Sequence, residues 1–534
     1  MEQKKIKTPS LLLMNNNNIQ QANRNYIIPV GLLKHISIHN FYMSVNYPIM
    51  ASACLFLLSG CENNKKKEFV PNKPNVLFIC VDDLRRDLGC YGSIVKTPNI
   101  DKLADNGSIF FHHYVQVPTS GASRASMLTG TLPHENTDLS NEACRLRLSM
   151  RPETELPETM FHHLKRNGYY TVGIGKISHY PDGLLYGYTD SVGTSYELPH
   201  SWNEMLFNVG KWGTGWNAFF GYADGSNRQS KNRQVLPYEC ANVSDEDYPD
   251  GLTANLAVKK IRELSSKNKP FCLAIGFFKP HLPFTAPKKY WDMYEPKSIP
   301  LSPVPYIPEN CNKIFLHESA EFNSYELGEE KASLQKPVSD AYARKLRHAY
   351  YACISYVDAQ IGKVLDALEK SGQADNTIII LWGDHGWHLG DHLVWGKHTL
   401  YDTSLGSAFI IKAPGKKGGV KNYRIISSVD IYPTLMELCN VKSPVGLDGK
   451  SFAFLLNSPN DFRWKDVSYS YFRNGISVRT PNYRMTRYAL NDSIITELYD
   501  YKQDFFERKN LIYEKKNIVN TLIPLWEKGN MFYK

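Results

Sequence analysis

The chain has 534 residues, 42% of them hydrophobic and 22% charged, with a formal net charge of +9. Residues 1–60 carry five Lys or Arg against one Glu, which leaves about +5 for the remainder, spread without a long basic block. This balance excludes a disordered or fibrous chain and suits an anionic substrate; with no nucleic-acid-binding motif, no nucleic-acid partner is expected.

Residues 1–42 are polar, include the run Asn15 to Asn18, and show no sustained period. From Met43 the chain reads MSVNYPIMASACLFLLSGC, and its apolar stretch from Ile49 to Leu58 is too short to span as a permanent helix. It ends in Leu58-Ser59-Gly60-Cys61, which resembles the lipobox of bacterial lipoproteins. A buried apolar segment is the plainer alternative, but small residues before the Cys and polar ENNKKKE after it fit the signal better. Residues 1–61 therefore read as an extension plus lipoprotein-type signal, with Met1 or Met43 as the start. The resemblance implies lipidation of Cys61, attachment to a membrane through that lipid, and a periplasmic or cell-surface location in a bacterium.

Residues 62–73 read as a basic linker, 74–464 as a catalytic domain and 465–534 as a C-terminal subdomain. Val76-Leu77-Phe78-Ile79-Cys80-Val81 is a continuous apolar run, as in a strand buried on both faces. Tyr170 to Ile174, Phe271 to Ile275 and Ile378 to Trp382 repeat that character. Between them, Ser339 is a good N-cap for a helix with Leu346, Tyr350, Ile354, Val357, Ile361, Leu365 and Leu368 at three-to-four spacing, ending near Gly372. Such alternation predicts an α/β sandwich around a mostly parallel sheet. From about residue 465 short alternating segments (475–479, 483–488, 497–500) predict antiparallel strands of a small α+β subdomain. Cys80, Cys272 and Cys353 sit in apolar runs as buried hydrophobes; neither a zinc site nor a disulfide framework is expected.

The residues just beyond each apolar run carry the chemistry. The first run leads into Asp82-Asp83, the second to Lys176 and His179, the third to Lys279-Pro280-His281 and the fourth to Asp384-His385. Ligands of open α/β sheets bind beyond the carboxyl ends of strands. Singly, an Asp pair is more often a turn or cap, a His more often a packed side chain and a Lys usually a solvated one. Jointly they place acids, histidines and lysines on one rim. Asp82, Asp83 and Asp384 offer hard oxygen ligands suited to Ca²⁺ or Mg²⁺, and a divalent ion there would polarise an anionic ester. Lys176 and Lys397 would balance the ester's charge, and histidines move protons near neutral pH.

NVLFICVDDLRRDLGCYG (75–92), TPNIDKLADNGSIFFHHYVQVPTSGASRASMLTG (97–130), GIGKISH (173–179), KPHLPF (279–284) and GDHGWHLGDHLVWGKHTLYD (383–402) together resemble the type I, formylglycine-dependent sulfatases. The spelling is most similar to the iduronate-2-sulfatase branch, from about residue 74 to ELYD near 500. The resemblance implies an alkaline-phosphatase-like fold and a sulfuric ester hydrolase acting on a sulfated oligosaccharide, with the 2-O-sulfate of a uronic acid in glycosaminoglycan fragments as substrate. Ser120 takes the place of the residue oxidised to formylglycine (3-oxoalanine). One hydroxyl of the aldehyde hydrate attacks sulfur, and the other drives sulfate elimination. Because position 120 is Ser rather than Cys, the partner implied is a Ser-type maturase. By the same resemblance Asp82, Asp83, the modified Ser120, Asp384 and His385 hold one Ca²⁺, ranked ahead of Mg²⁺, and Arg124 holds the hydrate. Lys176 and Lys397 bind sulfate, His179 is the base for sulfate release, and His281 is a leaving-group acid or substrate contact. Imidazole is an unusual calcium ligand, so His385 contacting a hydrate oxygen stays open beside ligation.

A uronate carboxylate needs a further cation, for which Arg85, Lys279 or the region of Arg479 are candidates; Trp387, His388 and Trp395 are candidates to shape the sugar pocket. Two other readings use the same residues: a phosphodiesterase or phosphonate hydrolase of the alkaline phosphatase superfamily with unmodified Ser120, and a lipoprotein that binds sulfated glycans without turnover.

Overall fold

The structure, a computed structural model, describes residues 73–532 apart from 151, 156, 268 and 492. The expected N-terminal signal with Cys61, and the expected linker except Lys73, lie outside the described residues. The main sheet has eight strands: β1 (Asn75–Val81), β2 (Ser108–Tyr114), β3 (Tyr170–Gly175), β4 (Glu204–Leu206), β5 (Phe271–Phe277), β6 (Thr377–Gly383), β7 (Phe409–Lys412) and β8 (Val420–Ser427). Their spatial order is β8-β2-β7-β6-β1-β5-β3-β4. Only β7 runs antiparallel to its neighbours β2 and β6; every other pairing is parallel.

Every residue of β1, β5 and β6 is buried, as their unbroken apolar runs predict. Successive side chains point to opposite faces. Leu77, Ile79 and Val81 therefore join one core with α2 (Pro249–Ser265) and α3 (Asp340–Lys370), while Val76, Phe78 and Cys80 join a second with α1 (Ser120–Thr129) and α4 (Ile431–Leu438). Helices thus cover both faces of the sheet. The Ser339 side chain caps α3 by accepting from Tyr342 N at 3.3 Å, and Gly372 (φ 70°) follows the helix end.

The C-terminal strands β9 (Ser468–Phe472), β10 (Gly475–Arg479), β11 (Tyr483–Leu490) and β12 (Ser493–Asp500) form one antiparallel sheet in sequence order, one strand more than the alternating segments indicate. Helix α5 (Lys516–Phe532) covers it through Leu522 against Met485 and Leu498. The small sheet and the main one share a single contact unit. Arg484 of β11 forms a buried ion pair with Glu507 and donates to Leu400 O, while Asp402 N donates to Glu507 Oε2 at 3.0 Å. The segment carrying Lys397 is therefore fastened to the C-terminal sheet by buried polar groups.

Candidate active site

The order β6-β1-β5-β3 puts the four strands read from sequence side by side and parallel, so their carboxyl ends meet on one edge. Asp82 and Asp83 leave β1, Asp384 and His385 leave β6, Lys176 leaves β3, and Lys279 and His281 follow β5. Asp83 turns there with φ 58°, a left-handed conformation held from two sides. Its N–H donates to Asp384 Oδ1 at 2.9 Å and its carbonyl accepts from Tyr350 Oη at 2.6 Å.

Asp82, Asp83, Asp384 and His385 are fully buried, and one ligand atom from each lies within 4.8 Å of the others. Burial, with the neighbouring Asp82 and Asp384, pushes the Asp83 carboxyl well above the ordinary carboxylate range, and burial with Asp82 raises Asp384 to about 6. Carboxylates crowded out of water in this way need positive charge. A divalent cation fits the set on that ground, with three hard oxygen donors and one imidazole.

Ser120 opens α1, at the helix end where N–H groups lack partners. Its Oγ lies 2.9 Å from His385 Nε2 and 3.3 Å from Asp82 Oδ1. Three cations ring this point. Lys176 Nζ donates to Asp82 Oδ2 at 2.5 Å, and Lys397 Nζ to Asp83 Oδ1 at 3.0 Å. Arg124 donates four hydrogen bonds, to Asp384 (3.1 Å), Asp82 (3.2 Å) and the carbonyls of Lys176 (2.7 Å) and Ile177 (3.2 Å), and its Nη2 also pairs with Asp384 at 3.0 Å. Arg124, expected at the hydrate, is wholly buried and orients the acids and the 176–177 turn.

His281 donates from Nδ1 to Leu282 O at 2.6 Å and presents Nε2 to Glu321 at 3.1 Å. His179 is buried against Trp216 (5.5 Å), with Nδ1 making no hydrogen bond. Burial and then Lys176 hold His179 neutral; burial and Lys397 lower His281 to about 4.

Several expectations about the sugar end change. Trp387 has no exposed face and backs Lys397 (5.1 Å) rather than facing a sugar. His388 is buried against Asp391 O and Thr399 Oγ1, and Trp395 stacks on Phe322. Two acids carried no signal in the sequence. Glu321, in the short helix Ala320–Asn323, reaches both His281 and Lys397 (3.5 Å) from an irregular segment. Glu197 accepts from Ser178 Oγ and from the N–H groups of His179 (3.2 Å) and Tyr180 (2.9 Å), fixing the turn that carries His179.

A large, mostly parallel sheet between helices, with carboxylates and a serine at a helix N-terminus on its carboxyl edge, is an alkaline-phosphatase-like arrangement. Comparison with known proteins agrees. The family pattern "Sulfatase" matches residues 74–441, and "N-sulphoglucosamine sulphohydrolase, C-terminal" matches 390–529. The chain belongs to the sulfatase family. It is 30% identical to iduronate 2-sulfatase of Mus musculus over 379 residues, 69% of this chain. That alignment spans 64% of the mouse protein, a little under two thirds of its length. Two solved structures share the fold. A phosphonate monoester hydrolase of Agrobacterium radiobacter has TM-score 0.66 and 23% identity, covering 85% of this chain and 96% of that one. A 2-O GAG sulfatase has TM-score 0.61 and 24% identity, covering 86% and 92%.

Proposed function

We propose that the protein is a sulfuric ester hydrolase that removes the 2-O-sulfate of a uronic acid from glycosaminoglycan fragments, using formylglycine made from Ser120. The observation that carries this is the placement of Ser120 Oγ beside Asp82 and His385 within a buried ring of Lys176, Lys397 and Arg124. Similarity to an iduronate 2-sulfatase and to the fold of a 2-O GAG sulfatase supports the substrate.

Formylglycine, as its hydrate, would supply two hydroxyls on one carbon, one to attack and one to expel sulfate. Asp82, Asp83 and Asp384, with His385 beside them, would hold Ca²⁺, which supplies Lewis-acid charge at the ester oxygens. Lys176 and Lys397 rest on Asp82 and Asp83 and bind the sulfate oxygens, neutralising charge in a site closed to water. His281, whose Nε2 rests on Glu321, would meet the substrate as leaving-group acid or contact, and His179 would take up the proton that sulfate release requires. Cys61 at the end of its signal supports an exported lipoprotein, and Ser at position 120 supports a Ser-type maturase as partner.

The test is turnover of matured protein on defined disaccharides sulfated at one position each, with aryl sulfate and aryl phosphate alongside. Release from a 2-O-sulfated uronate in preference to 6-O- or N-sulfated glucosamine supports the substrate. A large preference for the phosphate ester rejects the sulfatase reading in favour of a phosphoester hydrolase.

A further inference from the structure

The three cations expected to meet a uronate carboxylate are all engaged elsewhere. Arg85 pairs with Asp87 (3.2 Å) and Asp391 (2.9 Å). Lys279 is buried and donates to the carbonyls of His281 and Pro283. Arg479 is buried in the C-terminal sheet, 3.6 Å over the Tyr501 ring and donating to Tyr114 Oη at 3.0 Å.

Arg228 differs from all three. It is half-buried, and among the described residues it forms no ion pair. Its guanidinium carbon lies over two aromatic rings, 3.7 Å from the centre of Phe220 and 5.5 Å from that of Tyr325. Phe220 borders the catalytic groups, with its ring 6.2 Å from His281 and 6.3 Å from Trp216, which itself packs on His179. Tyr188, 46% exposed, stands edge-on to Phe220 (5.8 Å) and Trp216 (4.5 Å). Arg228 is thus one aromatic ring away from His281, beside an open tyrosine face. A guanidinium held over a ring keeps N–H groups that can grip a carboxylate through two bonds.

We propose that Arg228 is a specificity-determining residue that binds the carboxylate of the sulfated uronic acid, with Tyr188 packing on the sugar ring. This rests on the sulfatase reading of Ser120 and deepens its substrate assignment. The guanidinium fork takes the second anionic group of the substrate while Lys176 and Lys397 take the sulfate. Contact with the Phe220 ring restrains the guanidinium before binding, so less freedom is lost on binding.

The test uses the full chain in two forms. Unconverted protein, with Ser120 intact, is titrated calorimetrically with a 2-O-sulfated unsaturated uronate disaccharide and with its methyl ester. Matured protein is assayed for kcat/KM on the same pair and on an aryl sulfate. Arg228→Ala should weaken the free acid roughly 10- to 100-fold more than the ester, in Kd and in kcat/KM alike, and Arg228→Lys should recover part of the loss. Equal losses on acid, ester and aryl sulfate, or no loss on the acid, overturn the assignment while leaving the proposed substrate standing if the wild type cleaves it. A selective loss on a disulfated glucosamine instead assigns the fork to a second sulfate and also overturns it. Wild-type protein that cleaves other sulfated sugars but not the uronate overturns both proposals.

Discussion

His385 Nε2 lies 2.9 Å from Ser120 Oγ, while its Nδ1 lies 3.0 Å from the carbonyl of Gly386. A carbonyl only accepts, so Nδ1 carries the proton and Nε2 turns a lone pair toward the residue at position 120. Burial, then the charge of Lys397, holds the ring neutral. His385→Ala should therefore lower kcat/KM on an aryl sulfate by roughly 10²-fold. The mass of the Ser120 peptide serves as control, because the same loss with an unconverted peptide would place the effect on maturation.

Among the described residues Arg124 is the one cation that bridges Asp82 and Asp384, and both its charge and its partners are out of water. Removing it leaves uncompensated buried carboxylates and two carbonyls without donors. Arg124→Ala should cost about 3–5 kcal/mol in urea unfolding with calcium chelated. A loss below 1 kcal/mol would show that the clamp is not structural.

Calcium should do the opposite. Three carboxylates at one point repel in the empty site, so an ion binding only the folded chain adds stability by mass action, about 2.7 kcal/mol at a hundredfold excess over Kd. Thermal melts with chelator, Ca²⁺ and Mg²⁺ read this directly. Asp83→Asn should blunt the response; an Asp83→Asn protein that gains as much from Ca²⁺ as the wild type would remove Asp83 from the site.

Glu497 lies away from the active site, 1% exposed, accepting from Tyr401 and Tyr499 hydroxyls at 3.1 and 3.2 Å. Burial raises its carboxyl from 4.5 to about 7. Between those values the folded chain holds the proton more tightly than the unfolded one, so this group's contribution is full below pH 4.5 and is lost as pH rises through 7. The span is on the order of 3 kcal/mol. Glu497→Gln should accordingly gain stability relative to wild type between pH 5 and pH 8; a pH-independent difference between the two unfolding curves would contradict this.

Arg484 and Glu507 are each 1% exposed in their side chains and fasten the C-terminal sheet to the 397–402 segment. Arg484→Met breaks one half of a buried pair, for an expected loss of about 3–5 kcal/mol. It should also reduce turnover, because Leu400 stands three residues from Lys397. Stability lost with kcat/KM intact would mean that the fastening does not reach the site.

The four central strands and the acids, lysines and histidines at their carboxyl ends are legible because each strand is buried on both faces and therefore reads as an unbroken apolar run. The sheet order then converts sequence position into proximity. The sugar end is not legible. Glu197, Glu321 and Arg228 sit on segments without period, and the groups they meet (His179, His281 and Lys397, Phe220 and Tyr325) stand at no fixed spacing from them. Trp387 and Arg124 show a second limit. Their positions follow from the motif, but whether a side chain faces the substrate or supports its neighbours depends on packing that no spacing encodes.

The most direct test of the account is the state of Ser120 measured together with activity. The protein is expressed with and without a Ser-type maturase, the Ser120 peptide is weighed, and sulfate release from an aryl sulfate is measured on the same samples. The account predicts loss of two hydrogens from Ser120 only with the maturase, and activity that rises in proportion to the converted fraction. Full sulfate release from protein whose Ser120 is unmodified would contradict it.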